Sequence, residues 1–433
     1  MKSSTWPRGG FSKQHVDLLH RFGDEAADVR HELFYLAAGR TPVMAGLRAL
    51  AALVRDMWLL LCRTGPHTQH AAGTRQVVML TTLAGASGWG TLERSLPDIL
   101  SAGYKPLILA HPRLVAQSFA PDQPVMRLAR ADVQSWFSAL HVLTLTLWQR
   151  RPLLLACCLA RRRLWVGSLR RTLSGQGGVL LLHNDFDLMS SAAIGHGLPA
   201  ICLQHGIPTD EFFPTRADWY VVWGSSSRRA FATQCDSHTQ FVEDAFGRGN
   251  ALAGLMLTAP SGVALLSQTH AQVLGDGIHE MLNNFATSLL QAMPDASILL
   301  HPLEVSPYVG AAADAALRPP HPELQPQACA CRLVIGYCST AMLDAALAGH
   351  WVVVLELPLE DNSAARDVLA APLRVETVDQ LLRLYKRLHE DLAFRRASAE
   401  AQAKWLSASF SNTPGGFADL LQRITLKPLA ECS

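Results

Sequence analysis

The sequence predicts an α/β protein made of two βα domains that face each other, preceded by a helical segment. Three observations carry this. Short apolar runs of strand length recur along the chain, and most end in small or polar residues. Helical patterns separate the runs, which is the alternation a parallel sheet requires. The runs also fall into two groups, divided by a patternless stretch over 234–261 that holds Gly247, Gly249, Gly254 and Pro260. A chain of 433 residues exceeds the size at which one core stops growing.

Composition sets the class. Hydrophobic residues make up 49% and charged residues 17%, as in a well-buried enzyme and unlike a disordered chain. A formal charge of +2 gives no electrostatic case for nucleic acid. The nine cysteines lack zinc-type spacing; Cys157-Cys158 are adjacent, and Cys202 and Cys338 sit in apolar runs as small core residues. Their odd number fits a reducing cytoplasm, and the polar start over 1–13 shows no signal-peptide pattern.

Residues 1–75 read as helical and without obvious chemistry. Val43 to Cys62 approaches spanning length, but Arg48, Arg55 and Asp56 interrupt it. Leu140 to Trp165 is cut by Arg150-Arg151 and Arg161-Arg162-Arg163. Both are read as amphipathic helices, for core packing or for peripheral contact with the inner membrane surface. Arg161-Arg162-Arg163 and Arg170-Arg171 suit a solvated helix face, or an anionic glycan or lipid.

The first domain is expected over 76–250. Gln76 to Thr82 is a buried strand running into Ala84-Gly85-Ala86-Ser87-Gly88-Trp89-Gly90, then a helix over 91–101 and a strand at Pro106 to Ala110. The spacing misses the dinucleotide fingerprint, and no acidic residue ends the second strand, so a nicotinamide or flavin site is rejected and no cofactor is expected. Glycines such as Gly88 leave room for a substrate near backbone. Helices fill 131–174. Strands follow at Gly178 to His183, Pro199 to Gln204 and Ala217 to Trp223, each ending in a polar cluster. Those clusters gather along one sheet edge, where open α/β sheets bind ligands.

The second domain is expected over 251–410, with 411–433 as a tail. Its strands are Gly262 to Ser267, Ser297 to His301, Arg332 to Tyr337 and Trp351 to Leu355. The Pro-rich 305–328 reads as a surface connection, and 379–409 as a final helix. Ser339-Thr340 opens a helical pattern directly after a strand. First-turn N–H groups there are unpaired, the helix dipole is positive, and hydroxyls add donors, so the spot suits a phosphate. An ordinary helix cap is the plainer reading. His301, at the end of a neighbouring strand, can donate to the same anion.

The strand–His301–Pro302 element, the later strand–Ser339–Thr340–helix element and Gln204-His205-Gly206 together resemble GT-B glycosyltransferases, which have two Rossmann-like domains facing a cleft. Within these the chain resembles bacterial capsule and lipopolysaccharide enzymes that use CMP-activated acidic sugars, sialic acid or Kdo. The His205-Gly206 pair is also similar to that of CDP-glycerol and CDP-ribitol polymerases. The resemblance implies a CMP-sugar donor and a glycan or glycolipid acceptor. By it, His301, Pro302, Ser339 and Thr340 hold the nucleotide, with Gln268 and Glu304 as further contacts, and Gly206 and Gly88 border the acceptor.

A base is needed for the acceptor hydroxyl, and His205 and Asp185 are the candidates. The acidic-acidic-Gly motif of sialyltransferases is missing; Asn184-Asp185-Phe186-Asp187 is the nearest cluster, with Asp187 a helix cap if Asp185 is not. No essential divalent ion is expected. Trp89, Trp219 and Trp223 read as packing residues with a possible stacking use. Alternatives are an alditol-phosphate transferase and a non-catalytic scaffold of a polysaccharide assembly complex.

Overall fold

A computed structural model of the chain describes residues 11–65, 75–85, 87–234, 238–248, 257–267, 277–300, 317–318, 331–357 and 363–426. The chain opens with α1 (Phe11–Phe22), α2 (Arg30–Ala37) and α3 (Pro42–Cys62). Thr41 caps α3, its hydroxyl accepting from the Met44 amide at 3.4 Å, and Pro42 takes the first helical position, where a missing N–H costs nothing.

The first sheet comprises β1 (Gln76–Thr81), β2 (Lys105–Ala110), β3 (Val179–Leu182), β4 (Ala200–Leu203), β5 (Trp219–Val222) and β6 (Gln240–Glu243). All pairings are parallel, in the order β2-β1-β3-β4-β5-β6. Its helices are α4 (Trp89–Glu93), α5 (Leu96–Ser101), α6 (Val133–Trp148), α7 (Leu153–Leu173), α8 (Leu188–Ala193) and α9 (Ser225–Gln234). Covered on both faces, β3 and β4 are buried at every residue, which is why their sequences are continuous apolar runs rather than alternating ones. Leu182 lies level with Leu80 and with Cys202, so Thr82, His183 and His205 emerge at one edge.

The second sheet holds β7 (Val263–Leu266), β8 (Ser297–Leu299), β9 (Leu317–Arg318), β10 (Leu333–Gly336), β11 (Trp351–Leu355) and β12 (Leu373–Val375), ordered β12-β11-β10-β7-β8-β9. The helices that follow β7 along the chain are α10 (Ile278–Ala292), α11 (Thr340–Leu347), α12 (Ser363–Val368), α13 (Val378–Glu390), α14 (Leu392–Ser409) and α15 (Gly416–Leu426). Strand order reverses direction between β7 and β10, and in the first sheet between β1 and β3. Such switch points open a crevice at the carboxyl ends of the strands. Ser339 stands at one and His183 at the other.

Several elements differ from expectation. The short strands β6, β9 and β12 fall in stretches without a strand pattern. The helix expected over 379–409 is two helices, parted at Asp391, whose carboxylate accepts the Phe394 amide at 2.9 Å and caps α14. The expected tail carries α15, which packs on the first sheet: Phe417 N donates to Asp244 Oδ2 at 3.0 Å, and Tyr104 OH to the Leu421 carbonyl at 3.0 Å. The chain therefore passes between the domains once after β6 and again after α14.

The N-terminal helices are tied to the first domain by ions. Arg161 Nε donates to Asp56 Oδ2 at 2.8 Å, Trp165 Nε1 to the same oxygen at 2.9 Å, and Arg161 Nη1 to Glu32 at 2.5 Å. Arg161 is thus buried, not part of a solvated face. Burial opposes its charge, but Glu32 and Asp56 outweigh that and keep the guanidinium ionised. Arg162 pairs with Asp28 at 3.2 Å, and only Arg163 of the three is exposed. Among the described residues no helix is long and apolar enough to cross a membrane.

Candidate active site

At the first sheet's switch point lies a buried polar network. Thr82 Oγ1 donates to Asp187 Oδ2 at 2.8 Å, and Asn184 Nδ2 donates to the same oxygen at 2.8 Å. Asp187 Oδ1 accepts the Ser190 amide at 2.7 Å, so Asp187 is the cap of α8. The Thr82 amide and Thr82 Oγ1 reach His183 Nε2 at 3.3 and 3.1 Å. Burial pushes the His183 imidazole down to about 4, so it is neutral at physiological pH. Burial alone would raise the Asp187 carboxyl; the His183 ring and the donated hydrogen bonds hold it below the ordinary range.

Gly88 caps α4, and a Cβ there would lie 2.2 Å from the Leu83 carbonyl oxygen. The loop folds back on itself at that point, so the glycine answers to loop closure. Trp89 and Trp223 are buried packing residues.

His205 follows β4. Gln204 braces the turn: its Nε2 donates to the Gly206 carbonyl and to Ser227 Oγ, both at 3.0 Å, and its Oε1 accepts the Trp223 amide at 2.9 Å. The half-buried His205 ring stacks on Phe212, with centroids 4.9 Å apart and planes at 17°, and meets His183 edge-on at 6.0 Å. Phe186 touches His205 at 6.0 Å on one side and His31 of α2 at 4.8 Å on the other. The N-terminal segment therefore helps wall the site. Tyr35 OH donates to Glu211 Oε2 at 2.7 Å and fixes α2 to the Asp210–Phe212 turn.

Asp185 faces elsewhere. Its Oδ2 accepts the Arg216 amide at 2.5 Å and the Ala217 amide at 3.1 Å, tying down the chain that enters β5. Burial raises its carboxyl against those bonds. Asp185 and Asp187, though two apart, are engaged by different partners.

The second domain meets the first at this edge. Thr340 Oγ1 accepts the Ile207 amide at 3.1 Å, and a Cβ on Gly206 would come within 3.3 Å of the same oxygen. Ser339 caps α11, its Oγ accepting the Ala341 amide at 3.3 Å. Gln268, His301, Pro302 and Glu304 lie outside the described residues; β8 ends at Leu299, directly before the loop that carries three of them.

Two cations at this junction come from segments the sequence left without chemistry. Arg248 lies over the Trp223 ring at 4.6 Å and reaches Asp344 of α11 at 3.4 Å. Its Nη1 is buried without a hydrogen-bond partner among the described residues. Arg94, after the Gly-rich loop, feels both Arg248 and Asp344; burial, then the Arg248 charge, lower it to about 10. No sequence pattern marks either residue, because Arg248 and its partners Trp223 and Asp344 sit on separate elements.

No family model and no curated protein matches the chain. Among solved structures it is similar to the glycosyltransferase of kitacinnamycin, at 14% identity and TM-score 0.49, covering 81% of this chain and 99% of that one. It is similar to the spinosyn rhamnosyltransferase at 15% identity and TM-score 0.44, covering 81% and 100%. A protein assigned as a UDP-N-acetylglucosamine 2-epimerase from Listeria monocytogenes aligns at 14% identity and TM-score 0.45, covering 80% and 94%.

Proposed function

We propose that the chain is a glycosyltransferase that moves an acidic sugar, sialic acid- or Kdo-like, from a CMP-activated donor to a bacterial surface glycan or glycolipid. The observation that supports this best is the junction of two parallel-sheet edges at Ile207 and Thr340, with His205 on one side and the N-terminus of α11 on the other. One domain offers a base and the other an anion site, joined through the Ile207–Thr340 hydrogen bond.

In this reading the acceptor hydroxyl lies against His205, which takes its proton as the oxygen attacks the anomeric carbon. The bond from that carbon to the donor phosphate oxygen breaks, and the nucleotide leaves with the electron pair. Negative charge grows on phosphate, where the first-turn amides of α11, the Thr340 hydroxyl and Arg248 stabilise it. Stacking on Phe212 sets the plane of the His205 ring before substrate arrives. Asp185, spent on two backbone amides, is given no proton-transfer role. His301, Pro302, Gln268 and Glu304 remain assigned to the nucleotide through the resemblance. The His205-Gly206 resemblance equally supports transfer of an alditol phosphate from a CDP donor.

A thermal-shift series with CMP, CDP, UDP and GDP tests this. A ligand that binds only the native state adds about 2.7 kcal/mol at a hundredfold excess over Kd. Selective stabilisation by CMP, weakened in Thr340→Val and kept in His205→Ala, with turnover abolished only in His205→Ala, is the expected result. Preference for CDP moves the assignment to alditol-phosphate transfer. A folded protein that responds to no nucleotide sinks the enzyme reading and leaves the scaffold.

A further inference from the structure

We propose that the joined outer faces of α3 and α6 dock this protein on an anionic lipid surface. The proposal stands independently of the transferase reading. Both helices lie along α7, and between them runs an apolar groove of about 350 Å³, lined by Leu53 and Met57 of α3, Phe137 and Leu140 of α6, and Ala160 and Leu164 beneath. The faces bordering the groove are apolar and open to solvent. Phe137 is 68% exposed, Trp148 86%, Val43 71% and Trp58 52%. Isolated exposed apolar residues are ordinary, but two adjacent helices each presenting a full apolar stripe are not.

The charges around the patch have one sign. The sole carboxylate within α3, Asp56, is buried against Arg161 and Trp165. Helix α6 contains no carboxylate, and its capping Asp132 pairs with Arg170 at 3.0 Å. The exposed ionic groups on and beside these helices are Arg48 on α3, Arg63 at its end and Arg150 after α6, together with Arg55, which reaches Asp56 at 3.4 Å. Arginines framing an apolar stripe, with tryptophans at its margin, match an anionic headgroup layer. A second copy of the chain matches less well: a two-fold contact joins two patches whose free charges are positive, with no exposed carboxylate on either helix to pair them. The same arrangement explains why the run from Val43 to Cys62 nears spanning length without the composition to span: it lies along the surface.

Sedimentation with vesicles tests the proposal. The full chain should co-sediment with vesicles of equal parts phosphatidylglycerol and phosphatidylcholine, and far less with phosphatidylcholine alone. Phe137→Asp with Trp148→Asp should reduce binding about tenfold or more, since both side chains lose their burial in lipid. Arg48→Gln and Arg150→Gln should each cost about fivefold, and added salt should erase that difference. All four positions are exposed, so circular dichroism and melting should match the parent protein. Folded protein that binds neither vesicle overturns the proposal, as does binding unchanged by the Asp substitutions. Concentration-dependent dimerisation that those substitutions abolish overturns it in favour of a second copy.

Discussion

Thr340 Oγ1 accepts the amide of Ile207 at 3.1 Å, so the first residue of α11 is bonded to the residue that directly follows His205-Gly206. The hydroxyl receives this amide from the first domain. In the proposed function its own proton serves the donor phosphate at the helix N-terminus.

Thr340→Val keeps the shape and removes the acceptor, leaving the buried Ile207 amide unpaired at a cost of about 1–3 kcal/mol. We expect a clear rise in KM for the nucleotide and a small fall in Tm, with Thr340→Ser restoring both. Gly206→Val should act on the same contact from the other side. Steady-state kinetics of the three variants separate the outcomes; unchanged KM in Thr340→Val refutes the role.

Asp185 and His205 should part company. Asp185→Ala strands two buried amides, at about 1–3 kcal/mol each, and should lower Tm by several degrees. Asp185→Asn keeps an oxygen for them and relieves a buried charge, so it should melt close to the parent and retain most turnover. His205→Ala should lower Tm modestly, through the lost stack on Phe212, and abolish activity. Loss of turnover in well-folded Asp185→Asn would return the base assignment to the carboxylate.

Gly88→Ala should destabilise by about 2–4 kcal/mol, because the added methyl meets the Leu83 carbonyl, which backbone geometry holds in place. Gly85→Ala, whose Cβ meets nothing within 4 Å, is the control and should be far milder. Urea unfolding of both measures the contrast; equal effects would remove the loop-closure account.

Stability should fall between pH 6.5 and 4. Burial lowers both His183 and His111 from 6.5 to about 4, and Arg113 adds to the shift at His111. Below 6.5 the unfolded chain takes up protons that the folded chain refuses until about 4. The stabilisation is therefore complete above 6.5 and lost as pH falls toward 4, at roughly 3 kcal/mol per histidine. Asp185, shifted upward by burial, works in the opposite sense and offsets part of it. His111→Phe should flatten the urea-midpoint profile between pH 7 and 5; a parent profile already flat in that window rejects the argument.

The long buried strands were legible because burial on both faces turns them into unbroken apolar runs: Trp351 to Leu355 matches β11 residue for residue. Edge strands were not. Gln240–Glu243 is only half-buried, and Leu373–Val375 is three residues with an exposed centre. Neither needs the composition that marks a strand. That His205-Gly206 and Ser339-Thr340 stand at strand ends could be read because such residues directly follow the apolar run that marks the strand. The position of Asp185 after a strand was visible in the same way, but its partners, the Arg216 and Ala217 amides, come from a distant segment. Arg94, Arg248 and the Tyr35–Glu211 bond were invisible because long-range pairing leaves no local pattern.

The return of α15 to the first sheet ties that domain's completion to the last part of the chain. Phe417, Leu420 and Leu421 fill one side of a core whose other members include Val77, Met79 and Val179. During synthesis, the first domain stays uncovered on that side until the whole second domain has left the ribosome. Cutting the chain after α14 should consequently damage the half made first, leaving the neighbouring half intact and the earliest-made sheet prone to sticking.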